Sequence, residues 1–167
     1  ANKGFSPVPP GSAEGAVPET AWNYEAGVRF ARGLSTVEVF GFYSDYQNLT
    51  GQCTLSGGCT DEQLDTQFNG GEATVRGVEA TAGQGIELGR GFAVDADLAY
   101  AWTDAKFSTD FLSQFPQFGL VTAGDRLPYV PVHQGSGSIA VIHERMTLST
   151  QFTGRSGMHN IAASGDD

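Results

Sequence analysis

The sequence predicts an all-β fold: an antiparallel up-and-down meander of about six long strands, forming part of a larger transmembrane β-barrel. Three observations lead there. First, Phe92 to Thr103 alternates without interruption, with Phe92, Val94, Ala96, Leu98, Tyr100 and Trp102 on one parity. Ala93, Asp95, Asp97, Ala99, Ala101 and Thr103 take the other. Successive strand residues point to opposite faces, whereas a helix would mix the two sets around its circumference. The segment is long enough for a tilted bilayer crossing, and Tyr100 and Trp102 are types that sit where hydrocarbon meets water. Second, short connections (Ala31-Arg32-Gly33, Gly89-Arg90-Gly91, Glu144-Arg145) alternate with long ones. Outer-membrane barrels sort their connections in this way, with short periplasmic turns and long outer loops; soluble sandwiches have no reason to. Third, six strands are too few to close a membrane barrel, and hydrocarbon does not tolerate open sheet edges. The chain is therefore expected to be a piece of a larger barrel.

Taken in order, residues 1–21 hold Pro7, Pro9 and Pro10 and read as an extended outer loop. The first strand runs from Trp22 to Phe30, with Trp22, Tyr24, Ala26, Val28 and Phe30 on the lipid parity. Glu25 and Arg29 fall on the lumen parity. The second strand, Leu34 to Tyr46, is ambiguous, because Val37 and Val39 oppose Phe40, Phe42 and Tyr46. If Asp45 faces water, Phe40, Phe42 and Tyr46 face outward; either register is open. Residues 47–71 form a long polar loop. Its Cys53 and Cys59 suit a disulfide at an outer-loop tip better than zinc, which wants four ligands, and a disulfide implies an oxidising compartment.

The third strand starts near Glu72, and its apolar parity switches from Ala73 and Val75 to Val78, Ala80 and Ala82. A β-bulge at Arg76-Gly77 would reconcile the two and place Arg76 and Glu79 in the lumen, within reach of Asp95 or Asp97. The strand from Phe92 follows, then an outer segment at 104–134 whose phenylalanines form a short helix or a compact loop. Strand five spans Gly135 to His143, strand six begins at Met146, and the tail from about 156 to 167 is polar.

Composition narrows the function. The formal charge is −10, from 9 basic and 19 acidic residues, which excludes nucleic acid as a partner because counterion release needs clustered Lys and Arg. No apolar run reaches the roughly 18 residues of a membrane helix. No catalytic residue, cofactor or metal is assigned. Asp95 and Asp97 line a wet lumen or contact a plug, with no nucleophile or base beside them, and His133, His143 and His159 lack ligand spacing.

Several segments resemble the TonB-dependent outer-membrane receptors. They are Asn2-Lys3-Gly4-Phe5-Ser6-Pro7, Pro18-Glu19-Thr20-Ala21-Trp22-Asn23-Tyr24-Glu25-Ala26-Gly27-Val28-Arg29 and Phe42-Tyr43-Ser44-Asp45-Tyr46, then Phe68-Asn69-Gly70-Gly71-Glu72, Arg76-Gly77-Val78-Glu79-Ala80 and Leu127-Pro128-Tyr129-Val130-Pro131-Val132-His133-Gln134. They occur in family order along nearly the whole chain, and the nearest likeness is to the ferric-dicitrate and siderophore type. The resemblance implies a bacterial outer-membrane location and active uptake of a ferric chelate, powered through TonB and a plug domain. On this reading residues 1–167 are a barrel-domain fragment without the plug, in contact with outer-membrane lipid. An anionic chelate needs local positive charge, for which Arg126 and Arg155 are the candidates near the outer mouth. The competing class is a soluble secreted all-β ligand-binding domain. It would bury Trp22, Tyr24, Phe92, Tyr100 and Trp102 against a second sheet.

Overall fold

The computed structural model describes residues 18–52, 67–69, 71–112 and 118–162. Among the described residues ten strands form: β1 (Thr20–Arg32), β2 (Ser35–Gln47), β3 (Thr50–Gln52), β4 (Gln67–Asn69), β5 (Ala73–Gly89), β6 (Phe92–Phe107), β7 (Phe111–Leu112), β8 (Leu120–Val121), β9 (His133–His143) and β10 (Met146–Arg155). The six long ones make a single antiparallel sheet in the order β1-β2-β5-β6-β9-β10. β3–β4 and β7–β8 are small hairpins inside the two long connections. Of the segment 104–134, residues 104–107 continue β6, the β7–β8 pair follows, and no helix forms among the described residues. β1 and β10 are the two edges, so the sheet is open over the described residues.

The turns follow from backbone chemistry. Arg90 and Gly91 both have positive φ, at 56° and 77°, as a two-residue type I′ hairpin demands. Gly33, at φ 60°, opens the β1–β2 turn. Beside the Arg90-Gly91 turn, Glu87 pairs with Ala93 but Gly89 pairs with Phe92, so Leu88 is the extra residue of a bulge.

That is the position of the irregularity in β5. The bulge expected at Arg76-Gly77 does not form, because pairing with β2 and β6 runs unbroken from Ala73 to Gln84. The physical reason is position along the strand. Arg76 lies beyond the level of Trp102, near the long-loop end, where it pairs with Asp104. No kink is needed to keep it out of the middle of the apolar face. Ala73 and Val75 point to the other side, and Ala73 is fully buried in a cluster with Phe107 and Val121. Phe111, Phe118, Leu127 and Ala162 pack around that cluster, so the long connections have a small core of their own.

Cross-strand pairing settles the ambiguous second strand. Tyr24 lies opposite Tyr43, Val28 opposite Val39 and Phe30 opposite Val37, and directly opposed residues share a face. Val37, Val39 and Tyr43 thus join the apolar face, and so does Asp45 at its outer end. Phe40, Phe42 and Tyr46 take the other face, the reverse of what a water-facing Asp45 implied. Each lies across from a glycine, Phe40 from Gly27 and Phe42 from Gly77, and a Cβ on either glycine would overlap the ring. Phe152 covers Gly137 in the same way on the apolar face. An aromatic ring laid over a strand glycine shields backbone that the glycine leaves bare.

No second long sheet covers the apolar face among the described residues. Trp22 is 66% exposed, Leu98 55% and Leu148 70%. A continuous apolar surface of this extent marks contact with lipid or another protein, not the core of a two-sheet domain.

Candidate functional site

The six-stranded sheet separates its side chains by chemistry. Aligned across the strands, Phe30, Val37, Ala82, Leu98, Gly137 and Phe152 form one row of the apolar face. Towards the long loops comes the row Val28, Val39, Ala80, Tyr100, Gly135 and Gly154. Neither row carries a charge. Towards the short turns this face holds Ile86, Val94, Val141 and Leu148. Tyr24 and Tyr43, with ring centroids 6.4 Å apart, and Tyr100, hydrogen-bonded to His133 Nδ1 at 2.7 Å, stand towards the outer end.

The opposite face is polar. It carries the expected Glu25, Arg29, Glu79, Asp95 and Asp97, together with Glu38 and Glu87. Arg29 pairs with Glu38 on the neighbouring strand. Gly83 and Gly85 lie opposite Asp97 and Asp95, and a Cβ at either would come 3.1 Å from a carboxylate oxygen. These two glycines therefore make room for the acids. Asp97 Oδ2 also accepts a hydrogen bond from Ser138 Oγ at 3.4 Å.

Arg76 is not among these residues. It shares the face of Val78 and Trp102, opposite to Glu79, and pairs with Asp104 in place of Asp95 or Asp97. The two candidate ligand arginines also separate. Arg126 lies across from Lys106 and so belongs with Arg76 at the outer end of the apolar face. Arg155 lies on the polar face in the row Glu79, Ala101, Gln134 and Arg155.

A groove of about 630 Å³ runs along that row. Glu79 and Thr81 stand on one side, Thr153 and Arg155 on the other, with Gln134 and Ser136 between them. Ala99 and Ala101 keep its floor low. Glu25, Glu38, Glu79, Glu87, Asp95 and Asp97 outnumber Arg29 and Arg155 on this face, so attraction of an anion is confined to the neighbourhood of Arg155. Gln134 was not singled out in the sequence; only the register of three strands brings it between Arg155 and Glu79.

The outer end is built tightly. Asp104 accepts from Arg76 Nη2 at 3.0 Å and lies 3.2 Å from Lys106 Nζ. Asp125, also buried, accepts from the Thr122 amide at 2.9 Å and closes the turn that returns the chain to β6. Among the described residues no group of three His, Cys, Asp or Glu is placed to hold a metal. Cys53 and Cys59, the expected disulfide, lie outside the described residues.

A family model described as "TonB dependent receptor-like, beta-barrel" matches residues 3–160. No curated protein and no solved structure matches the chain significantly.

Proposed function

The chain belongs to the TonB-dependent receptor β-barrel family, whose members are transporters of the bacterial outer membrane, and from that premise we propose that it forms part of the wall of a receptor for a ferric chelate, either ferric citrate or a siderophore complex. The apolar face meets lipid, and the polar face lines the lumen and meets the plug. The observation that supports this most is the unbroken charge-free parity of Phe92 to Trp102, matched row by row in the neighbouring strands. A charge at the hydrocarbon midplane costs a few kcal/mol, so a long face free of charge is what lipid selects.

For the ligand, the support is the groove at Arg155. An anionic chelate carries carboxylate or hydroxamate oxygens, and a guanidinium beside a Gln amide and two hydroxyl side chains offers several donors at one place. TonB and the plug supply energy coupling in this family and are the partners expected for the assembled receptor. The test is uptake of radioiron by cells whose only receptor is the full-length protein containing this chain. Ferric citrate and ferric siderophores are offered separately. We expect uptake of one of them, and Arg155→Ala should weaken its half-saturation by about tenfold, the range for a lost charge-assisted hydrogen bond. Uptake unchanged in Arg155→Ala would remove Arg155 from the ligand site; no iron uptake with any chelate would overturn the substrate class.

A further inference from the structure

We infer that the groove between Glu79 and Arg155 selects a ferric chelate that carries a free amine as well as an acid, over one that is anionic throughout. The inference rests on the chelate-receptor reading proposed above and narrows its ligand from an anion to a zwitterion.

The groove is charged at both ends and neutral between them. Across the neighbouring strands β5, β6, β9 and β10 its outer row reads Glu79, Ala101, Gln134 and Arg155. Adjacent strands lie about 4.8 Å apart, so the Glu79 and Arg155 backbones stand about 14 Å from each other. The inner row, Thr81, Ala99, Ser136 and Thr153, adds hydroxyls and no charge. With alanines on its floor, the space of about 630 Å³ lies open between two opposite charges that one molecule can touch together.

Neither charge is used inside the sheet. Arg29 pairs with Glu38, and Arg76 and Lys106 share Asp104. Among the described residues no ion pair holds Glu79 or Arg155. On β2 the residue across from Glu79 is Phe40, not a cation, and Arg155 is on the edge strand. Asp97 lies two rows towards the short turns and accepts from Ser138.

Charge then decides the kind of ligand. An all-anionic chelate gains at Arg155 but meets Glu79 across the groove, with Asp97 and Asp95 beyond. A chelate with only an amine gains at Glu79 and leaves the guanidinium unused. A molecule with an amine and a carboxylate on opposite sides of its iron meets both, each through a charge-assisted hydrogen bond. The Gln134 amide and the Ser136 hydroxyl suit uncharged oxygens between them.

The experiment measures equilibrium binding of radioiron-loaded chelates to the purified full-length receptor in nanodiscs. The probes are a linear ferric trihydroxamate with an amine at one end and a carboxylate at the other, its N-acetyl derivative, its carboxamide derivative, and ferric citrate. The parent should bind about tenfold or more tighter than either capped form, with ferric citrate no better than the capped forms. Glu79→Gln should bring the parent down to the N-acetyl level and leave the N-acetyl form unchanged. Arg155→Gln should do the same with the carboxamide. Those unchanged arms separate a ligand contact from damage to the fold, and the native receptor's ranking is a test without any variant. Equal binding of the parent and both capped forms by the native receptor overturns the inference, as does tightest binding of ferric citrate; the chelate-receptor reading survives either result. A preference for the parent that persists in both variants overturns the groove as its source. Binding of none of the four overturns the inference together with the reading beneath it.

Discussion

Leu98→Arg in the full-length receptor is expected to destabilise the barrel by about 2–4 kcal/mol, the cost of a basic side chain on the lipid face near the bilayer midplane. Leu98 stands midway along the charge-free run of β6, is 55% exposed, and has the small residues Ala82 and Gly137 directly across from it. In a soluble domain with that exposure, the same substitution would stay within about half a kcal/mol. The check is reversible folding into lipid vesicles across a denaturant series. Ala99→Arg, one residue on and pointing to the polar face, is the matched control and should cost far less. A midpoint unmoved by Leu98→Arg would count directly against a lipid-facing β6.

The second large effect belongs to the long connections. Phe107 is 2% exposed, packs on Ala73 and Val121, and meets Phe111 and Phe118 edge-on at 5.3 and 6.0 Å. Its backbone receives the Gly124 amide and donates to the Asp125 carbonyl, so β6 and the returning loop are joined at this residue. Phe107→Ala removes a buried ring with no neighbour able to fill its place and should cost about 3–5 kcal/mol. The loss should be local, because the sheet beyond the cluster is held by its own pairing. Hydrogen exchange should show Gly124, Asp125 and Leu127 losing protection while Val94 to Tyr100 keep theirs. Unchanged protection at Gly124 and Leu127 would show that the cluster does not hold the loop.

How much of this was legible in the sequence depended on whether one strand carried its own answer. β6 did from Phe92 to Thr103, because over that run one of its faces is acidic or small throughout and the other apolar. β2 did not, because aromatic and β-branched residues fall on both parities; what orients it is Gly27 on one neighbour and Gly77 on the other, which receive the Phe40 and Phe42 rings. Arg76 misled for a related reason. Parity gives the face of a residue but not its depth, and Arg76 lies past the apolar span, beside Asp104 on the last rows of β6. Strand ends were also underestimated, since β6 continues to Phe107 and its outer residues pair with the loop returning through Asp125 and Leu127. The same loop carries Arg126 to Lys106 and away from Arg155. The groove at Arg155 needed the registers of β5, β6, β9 and β10 together, and no local pattern contains that information.

The lipid-facing assignment of the apolar parity is tested most directly by a nitroxide scan along β6. Each position from Phe92 to Thr103 is labelled in turn in the full-length receptor, reconstituted in bilayers, and relaxation by oxygen is compared with relaxation by a water-soluble nickel chelate. The predicted result is strict alternation: positions 94, 96, 98 and 100 respond to oxygen, and positions 93, 95, 97 and 99 do not. Equal oxygen response on both parities, or nickel access at position 98 matching that at 97, would contradict it.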